Sequence, residues 1–163
     1  MRNYDPLIKI KMDKGAIAPT RGHQWDGGMD LYAMEDCIVP PAVITGESWD
    51  ADDGTYECIQ LGSLVIDTGI HLEIPEGFYG DVRSRSGLMC KHGITVGDGT
   101  IDAHYTGPIK VCLFNNRDTE YCVKAGDKIA QLVIAPCIFP RLELVDKLEE
   151  TDRGDGGFGS TGR

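Results

Sequence analysis

The feature that most constrains this chain is a two-residue rhythm in its apolar positions. Ile8, Ile10 and Met12 alternate with Lys9 and Lys11, and Ile70, Leu72 and Ile74 alternate with His71 and Glu73. Successive side chains of a strand point to opposite faces, so this rhythm predicts strands with one face in a core. Apolar, β-branched runs at 64–66 (LVI), 109–114 (IKVCLF) and 129–134 (IAQLVI) extend the pattern. Turn signals separate them: PEG at 75–77, NNRD at 115–118 and AGD at 125–127. Many short strands at this spacing predict an all-β chain, an antiparallel sandwich, barrel or jelly roll. At most one short helix is expected, over 87–92, where SGLMCKH begins with a serine suited to capping. Residues 45–58, TGESWDADDGTYEC, are polar with a DDG turn and read as a surface loop or hairpin. From about Arg141 to Arg153 the strand rhythm stops. Those thirteen residues, if extended, reach about 40 Å. The glycine-rich residues beyond them can therefore act far from the domain, on a neighbouring subunit for example.

Composition narrows the class. A chain of 163 residues with 41% apolar side chains suits one domain with a real core. No apolar run approaches the roughly 20 residues of a membrane span, and MRNYDPLIKI carries no signal-peptide apolar region. The expectation is a soluble, cytoplasmic protein without a membrane partner. The six cysteines form no C-x-x-C and stand at no zinc-like spacing with histidine. They read as reduced, mostly buried thiols, with a Cys37–Cys58 bridge as the alternative. The net charge of −10 opposes nucleic-acid binding, which calls for a basic face. It leaves open a small polyanion held by a few local arginines and a divalent cation. His23, His71, His92 and His104 share no spacing, and none is assigned to metal or base work. Trp25 and Trp49 read as packing or loop-edge residues.

Five stretches carry candidate chemistry. The last, RGDGGFGSTGR at 153–163, fits G-x-G-x-x-G through Gly154, Gly156 and Gly159. The dinucleotide motif needs a helix after it, and four residues leave no room for one. What remains is phosphate-binding material: accessible backbone N–H groups, the hydroxyls of Ser160 and Thr161, and Arg153 and Arg163. A loose terminus is the bland alternative. GGMDLYA at 27–33 puts Asp30 after two glycines and before an apolar strand, which is also how a plain turn looks. In RSRSGLMCKHGI at 83–94, Arg85, Ser86 and Gly87 set a guanidinium, a hydroxyl and a small backbone side by side at a helix start. That suits phosphate, although a capped helix with a surface arginine reads the same way. In VGDGTIDAHYTGPIKV at 96–111, glycines bracket Asp102 and Tyr105 and suggest a hairpin folded around a pocket. Its backbone would meet a flat base edge, Asp102 would order and deprotonate a water, and Tyr105 would stack on a sugar. An ordinary β-turn is the competing reading. AGDKIAQLVI at 125–134 buries one amide, Gln131, which needs a partner in a phosphate or a neighbouring backbone.

These five stretches, in this order across 27–163, resemble the five motifs of the trimeric dUTP pyrophosphatase (dUTPase) family. The resemblance implies a β jelly roll over residues 1–145 and a flexible C-terminal arm over 146–163. It implies a homotrimer whose active sites are each built from three subunits, hydrolysing dUTP to dUMP and pyrophosphate with Mg²⁺. Such an activity limits uracil in DNA and supplies dUMP for dTTP synthesis. Asp30 matches the acid that supports the phosphate and metal network indirectly. Arg85, Ser86 and Gly87 match the phosphate grip. Gly99, Thr100 and Ile101 match the uracil-reading segment, Asp102 the acid that positions the attacking water, and Tyr105 the ring that excludes a 2′-hydroxyl. Lys110 stands where the family contacts substrate just beyond that segment, and Gln131 matches a phosphate contact. Arg153, Phe158, Gly159, Ser160 and Thr161 match the phosphate clamp and aromatic lid. Three departures stand out: Ser84 where the family often has proline, a longer 45–58 excursion, and Met29 where a smaller residue is usual. The Ser84 departure is expected to loosen the turn without removing a contact.

Two rivals are weighed against this reading. The related dCTP deaminases place a catalytic glutamate on the strand after the third motif, where this chain has Cys112. No acid lies in IKVCLFN at 109–115 to shuttle that proton. A non-catalytic nucleotide binder on the same fold is opposed by the intact Asp102 and tail, while a second binding role for 45–58 stays open.

Overall fold

The computed structural model describes residues 6–51 and 54–154, and at 46–51 and 54–57 it describes the backbone alone. The described residues form twelve strands. They are β1 (Lys9–Met12), β2 (Gly28–Tyr32), β3 (Cys37–Val39), β4 (Val43–Ala51), β5 (Gly54–Gln60) and β6 (Gly62–Glu73) in the first half. The second half adds β7 (Phe78–Arg83), β8 (Ile94–Val96), β9 (Gly99–Ile101), β10 (Pro108–Asn115), β11 (Tyr121–Val123) and β12 (Lys128–Pro136). One four-stranded sheet runs β1-β6-β10-β8 and the other β2-β12-β7-β9, while β3/β11 and β4/β5 are two-stranded ribbons. The recorded pairings are antiparallel. The all-β class read from the alternation is therefore what the chain forms, and the sheets remain open rather than closing into a barrel.

The alternation also fixes what lies between the sheets. On β10, Ile109, Val111, Leu113 and Asn115 are buried while Lys110 faces solvent. On β6, Ile66, Ile70 and Leu72 are buried, and Ile74 just beyond it. They meet Leu31 of β2, Val82 of β7, and Ile129 and Leu132 of β12 in one cluster drawn from both sheets. Burying each such side chain is worth about 1.5–3 kcal/mol. Gly69 has φ +64, and a Cβ there would stand 2.4 Å from the Met34 sulfur, so only glycine fits this point of β6.

Some expectations change. Ile10 and Met12 stay 46% and 41% exposed, because β1 is the outermost strand of its sheet. All six cysteines are free thiols, and none is fully buried; Cys90 and Cys122 are exposed. The Cys37–Cys58 bridge is thus absent, and the thiols are partly or fully exposed rather than buried in the core. The 45–58 excursion is a hairpin, with Thr45 opposite Cys58 and Trp49 opposite Tyr56. Trp25 is 89% exposed in a loop. The helix is a single turn over Leu88–His92 with Gly87 at its N-cap and no side-chain cap bond. Ser86 does not cap because it already lies inside the turn, whose first bond runs from the Met89 N–H to the Arg85 carbonyl at 3.0 Å. The last strand ends at Pro136, and residues 138–154 are exposed and carry no strand or helix. Among the described residues no helix is long and apolar enough to cross a membrane.

Candidate active site

Asp30 sits mid-strand in GMDLY of β2 and is only 5% exposed. A carboxylate there needs cations, since an unpaired buried charge is costly. It has two. Lys128 Nζ lies 2.8 Å from its Oδ2, and Arg85 Nε donates to its Oδ1 at 3.1 Å. The strand ladder brings them together: Gln131 of β12 stands opposite Asp30 on one side and opposite Arg83 of β7 on the other. Arg85 follows β7 by two residues, and its Nη1 donates to the Lys128 carbonyl at 3.0 Å. Gln131 contributes a side-chain hydrogen bond to the same carboxylate. Burial is the largest single influence on the Asp30 carboxyl and works to raise its pKa. The Lys128 ammonium, the Arg85 charge and the Gln131 amide together outweigh it and hold the group below the ordinary carboxylate value. Two cations against one anion leave the cluster with a net positive charge, aimed where the Arg85, Ser86 and Gly87 backbone turns into the helical segment. Ser86 and Gly87 are exposed there.

Lys128 escaped the sequence analysis. The available signal was Asp30 itself: an acid within an apolar strand calls for a cation on the neighbouring strand. Ser84 also differs from expectation. It does not loosen the turn; its hydroxyl accepts the Val96 N–H at 2.8 Å and ties the segment after β7 to β8. Proline at this position could not accept that bond.

A second group forms around Asp102. Thr100, Ile101, Asp102, Tyr105, Pro108 and Lys110 line one cleft of about 250 Å³. Lys110 reaches it because strand alternation turns it away from the core. The expected hairpin is not formed here. β9 pairs with β7, and β10 pairs with β6 and β8, so residues 102–107 cross from one sheet to the other. Glycines signalled a turn but not which strands would pair. β9 is the outermost strand of its sheet, so Gly99, Thr100 and Ile101 present a backbone edge that no described strand covers. The crossing loop is shaped locally. The Tyr105 N–H donates to the Asp102 carbonyl at 3.1 Å, and the Tyr105 hydroxyl to the Pro108 carbonyl at 3.1 Å. The ring covers Gly107, where a Cβ would stand 2.5 Å from the phenol oxygen. His104 takes a left-handed φ of 71° and pairs with Glu76 at 3.4 Å.

The two groups do not meet within one chain. Ile101 stands opposite Gly80 near the start of β7, whereas Gln131 stands opposite Arg83 at its end. Asp102 and Arg85 thus lie at opposite ends of β7, about 20 Å apart at roughly 3.3 Å per residue. Of the tail residues, Arg153 is exposed in a turn, and Phe158, Gly159, Ser160 and Thr161 lie outside the described residues, as does Arg163. A cavity of about 870 Å³ is lined by Ile8, Met29, Phe78 and Ile134 among others and holds none of the expected site residues.

Known proteins with the same pattern were found by sequence and by structure. The deoxyuridine 5'-triphosphate nucleotidohydrolase of Eremothecium gossypii is 38% identical over 159 residues, covering 96% of this chain and 92% of that protein. The dUTPase of Staphylococcus bacteriophage 80alpha, solved with dUPNHPP, superposes with a TM-score of 0.81 at 27% identity, over 96% of this chain and 99% of its own. A dUTPase variant from phage phi11 of S. aureus, described as coordinating a structural Mg(II) ion, superposes at 0.71 with 26% identity, over 88% of this chain and 99% of its own. A profile of the dUTPase family matches residues 14–162. With β2, β7, β9 and β12 all inside that match, this chain belongs to the dUTPase family.

Proposed function

We propose that this chain hydrolyses dUTP to dUMP and pyrophosphate. The observation that carries the reading is the buried Asp30 carboxylate, which holds Arg85 and Lys128 as a fixed, net-positive cluster beside Gln131. Such preorganised charge suits a triphosphate, whose transition state is stabilised chiefly by position and electrostatics. Arg85, Ser86, Gly87 and Gln131 would hold the phosphates, with Lys110 and Arg153 adding charge. The uncovered edge of β9 suits a flat base: its N–H and C=O groups can match the O4 acceptor and N3 donor of uracil. Cytosine reverses both and would leave buried groups unpaired, a discrimination worth about 10⁴-fold. Tyr105 would lie against the deoxyribose. Asp102, exposed and beside this edge, would orient a water toward the α-phosphorus and take its proton. The water oxygen then bonds to that phosphorus as the bond to the bridging oxygen breaks and pyrophosphate leaves.

Mg²⁺ would offset charge on the phosphates and on the departing pyrophosphate. Both Asp30 oxygens are already paired with cations, which fits a contact to such an ion through water rather than direct ligation.

The reading includes three copies of the chain. Asp102 and Arg85 stand at opposite ends of β7, so a nucleotide touching both kinds of residue needs a second subunit. Ile138, Phe139, Leu142, Leu144 and Leu148 are 72–101% exposed on the segment after β12, which supports association with another copy. In this reading residues 1–145 form the folded domain, and 146–163 are an arm that brings Arg153, Phe158, Gly159, Ser160 and Thr161 to a bound nucleotide. A cytoplasmic location is supported by the six free thiols.

The test is pyrophosphate release, with Mg²⁺ present, from dUTP, dCTP, dTTP and UTP in parallel. Release from dUTP alone is expected. Ammonia from dCTP, or tight dUTP binding without turnover, would overturn the reading.

A further inference from the structure

We propose that His71 is a positioning residue for the loop 102–107: its Nδ1–H holds the Thr106 carbonyl and thereby sets Asp102 and Tyr105. The catalytic consequence rests on the dUTP-hydrolase reading; the anchor itself does not. His71 lies on β6 with its side chain 15% exposed. Its Nδ1 is 3.0 Å from the Thr106 carbonyl oxygen, which can only accept, so Nδ1 must carry the hydrogen. Its Nε2 faces the Asp13 carboxylate at 3.3 Å. The Asp13 carboxylate also only accepts, so this second contact is a hydrogen bond only on a ring that carries both hydrogens, whereas the Thr106 bond is made with either form.

The ladder shows why a side chain is needed at this corner. Pro108 is the residue opposite His71, and the register shifts between Pro108 and Lys110. Proline has no N–H, so β10 cannot close the β6 ladder where the loop enters it. The imidazole bonds two residues upstream instead, at Thr106. The neighbouring Tyr105 N–H bonds the Asp102 carbonyl, so the anchor, the sugar-facing ring and the water-orienting acid form one short connected unit. The other groups facing the ring come from β1, where Lys11 stands opposite His71 and reaches to 4.0 Å from the far oxygen of Asp13.

Three variants test the anchor: His71→Ala removes both contacts, His71→Asn keeps an N–H donor near the Nδ1 position, and His71→Gln keeps one near Nε2. With melting temperature measured beside activity, His71→Ala should lower kcat/KM for dUTP about 10- to 100-fold, with a raised KM. Loss of folded protein alone would lower kcat and leave KM unchanged. His71→Asn should restore most of the loss, and His71→Gln should not. Unchanged kinetics in His71→Ala, or Asn no better than Gln, would overturn the proposal. If the unaltered protein does not turn over dUTP, the functional reading fails by itself, and amide spectra decide the anchor. Tyr105, Thr106 and Gly107 resonances that move in His71→Ala and return in His71→Asn keep it; resonances that stay put discard it.

Discussion

The two carboxylates of the candidate site occupy opposite physical worlds. Asp30 is 5% exposed and bonded to Lys128 and Gln131 of β12 and to Arg85 just after β7, side chains drawn from two distant segments of the chain. Asp102 is exposed, on a loop held by the Tyr105 bonds to Asp102 and Pro108, by His71 at the Thr106 carbonyl and by Glu76 at His104. Both lie on the sheet that β7 shares, at its two ends. The first carboxylate is held as an anion by its cations and, in the proposed reading, works by aiming them. The second keeps its oxygens in solvent and can orient water. In the proposed reading one residue type performs two jobs because burial and neighbours divide them. The comparison also shows which half is finished. The cation cluster is complete in one chain, whereas the Asp102 cleft measures about 250 Å³ and, in the proposed reading, is completed by another copy.

The largest expected effect breaks the exposed half. Asp102→Asn should lower kcat for dUTP by about 10²–10⁴-fold. Because the side chain is exposed, stability should change by no more than about 0.5 kcal/mol. A clear fall in melting temperature would show that Asp102 is structural, and the contrast between the two acids would collapse.

Asp30→Asn should do the reverse, acting on stability first. Removing the anion leaves Lys128 of β12 and Arg85, just after β7, as two cations side by side without their shared partner. A fully buried pair broken this way costs about 3–5 kcal/mol, but Arg85 and Lys128 are 29% and 41% exposed, and solvent screens them. The expected loss is therefore about 1–3 kcal/mol. The pH dependence has a definite sign. The folded carboxyl titrates below its ordinary value, so its contribution is fully present above the unfolded value near about pH 3.9. It is lost as pH falls through the lower native value. Denaturation curves of the two proteins should thus differ at neutral pH and draw together in acid; a gap that widens in acid would contradict the ion-pair account.

The same contrast explains what could be read from the residues alone. The strands were legible because alternation is local: Ile109, Val111 and Leu113 announce a buried face without reference to any partner. Asp30, Arg85 and Gln131 were legible through ordered motifs. Lys128 was not, because a lysine after a Gly-Asp turn looks like any solvated turn residue until the ladder sets it beside Asp30. Residues 96–111 were misread as a hairpin for a related reason. Glycines at 97, 99 and 107 mark bends, but which strands pair is decided by distant residues of β6 and β7. Ser86 and Ser84 show the limit at finer scale. Ser86 looks like a cap and bonds none; Ser84, read as loosening the turn, meets an N–H, and that N–H belongs to Val96, twelve residues on.

Ser84 supplies the smallest and sharpest test. Its bond to Val96 is part-buried and is the described side-chain link that ties the segment carrying Arg85 to β8. Ser84→Ala leaves the Val96 N–H without that acceptor, which should cost about 1 kcal/mol. If the cation cluster owes its position to the Asp30 pairs, turnover should fall only slightly, since Arg85 keeps its bonds to Asp30 and to the Lys128 carbonyl. A loss in activity as large as that of Asp30→Asn would mean the turn, not the ion pairs, aims Arg85. The finished half of the site would then depend on loop geometry as much as the exposed half does.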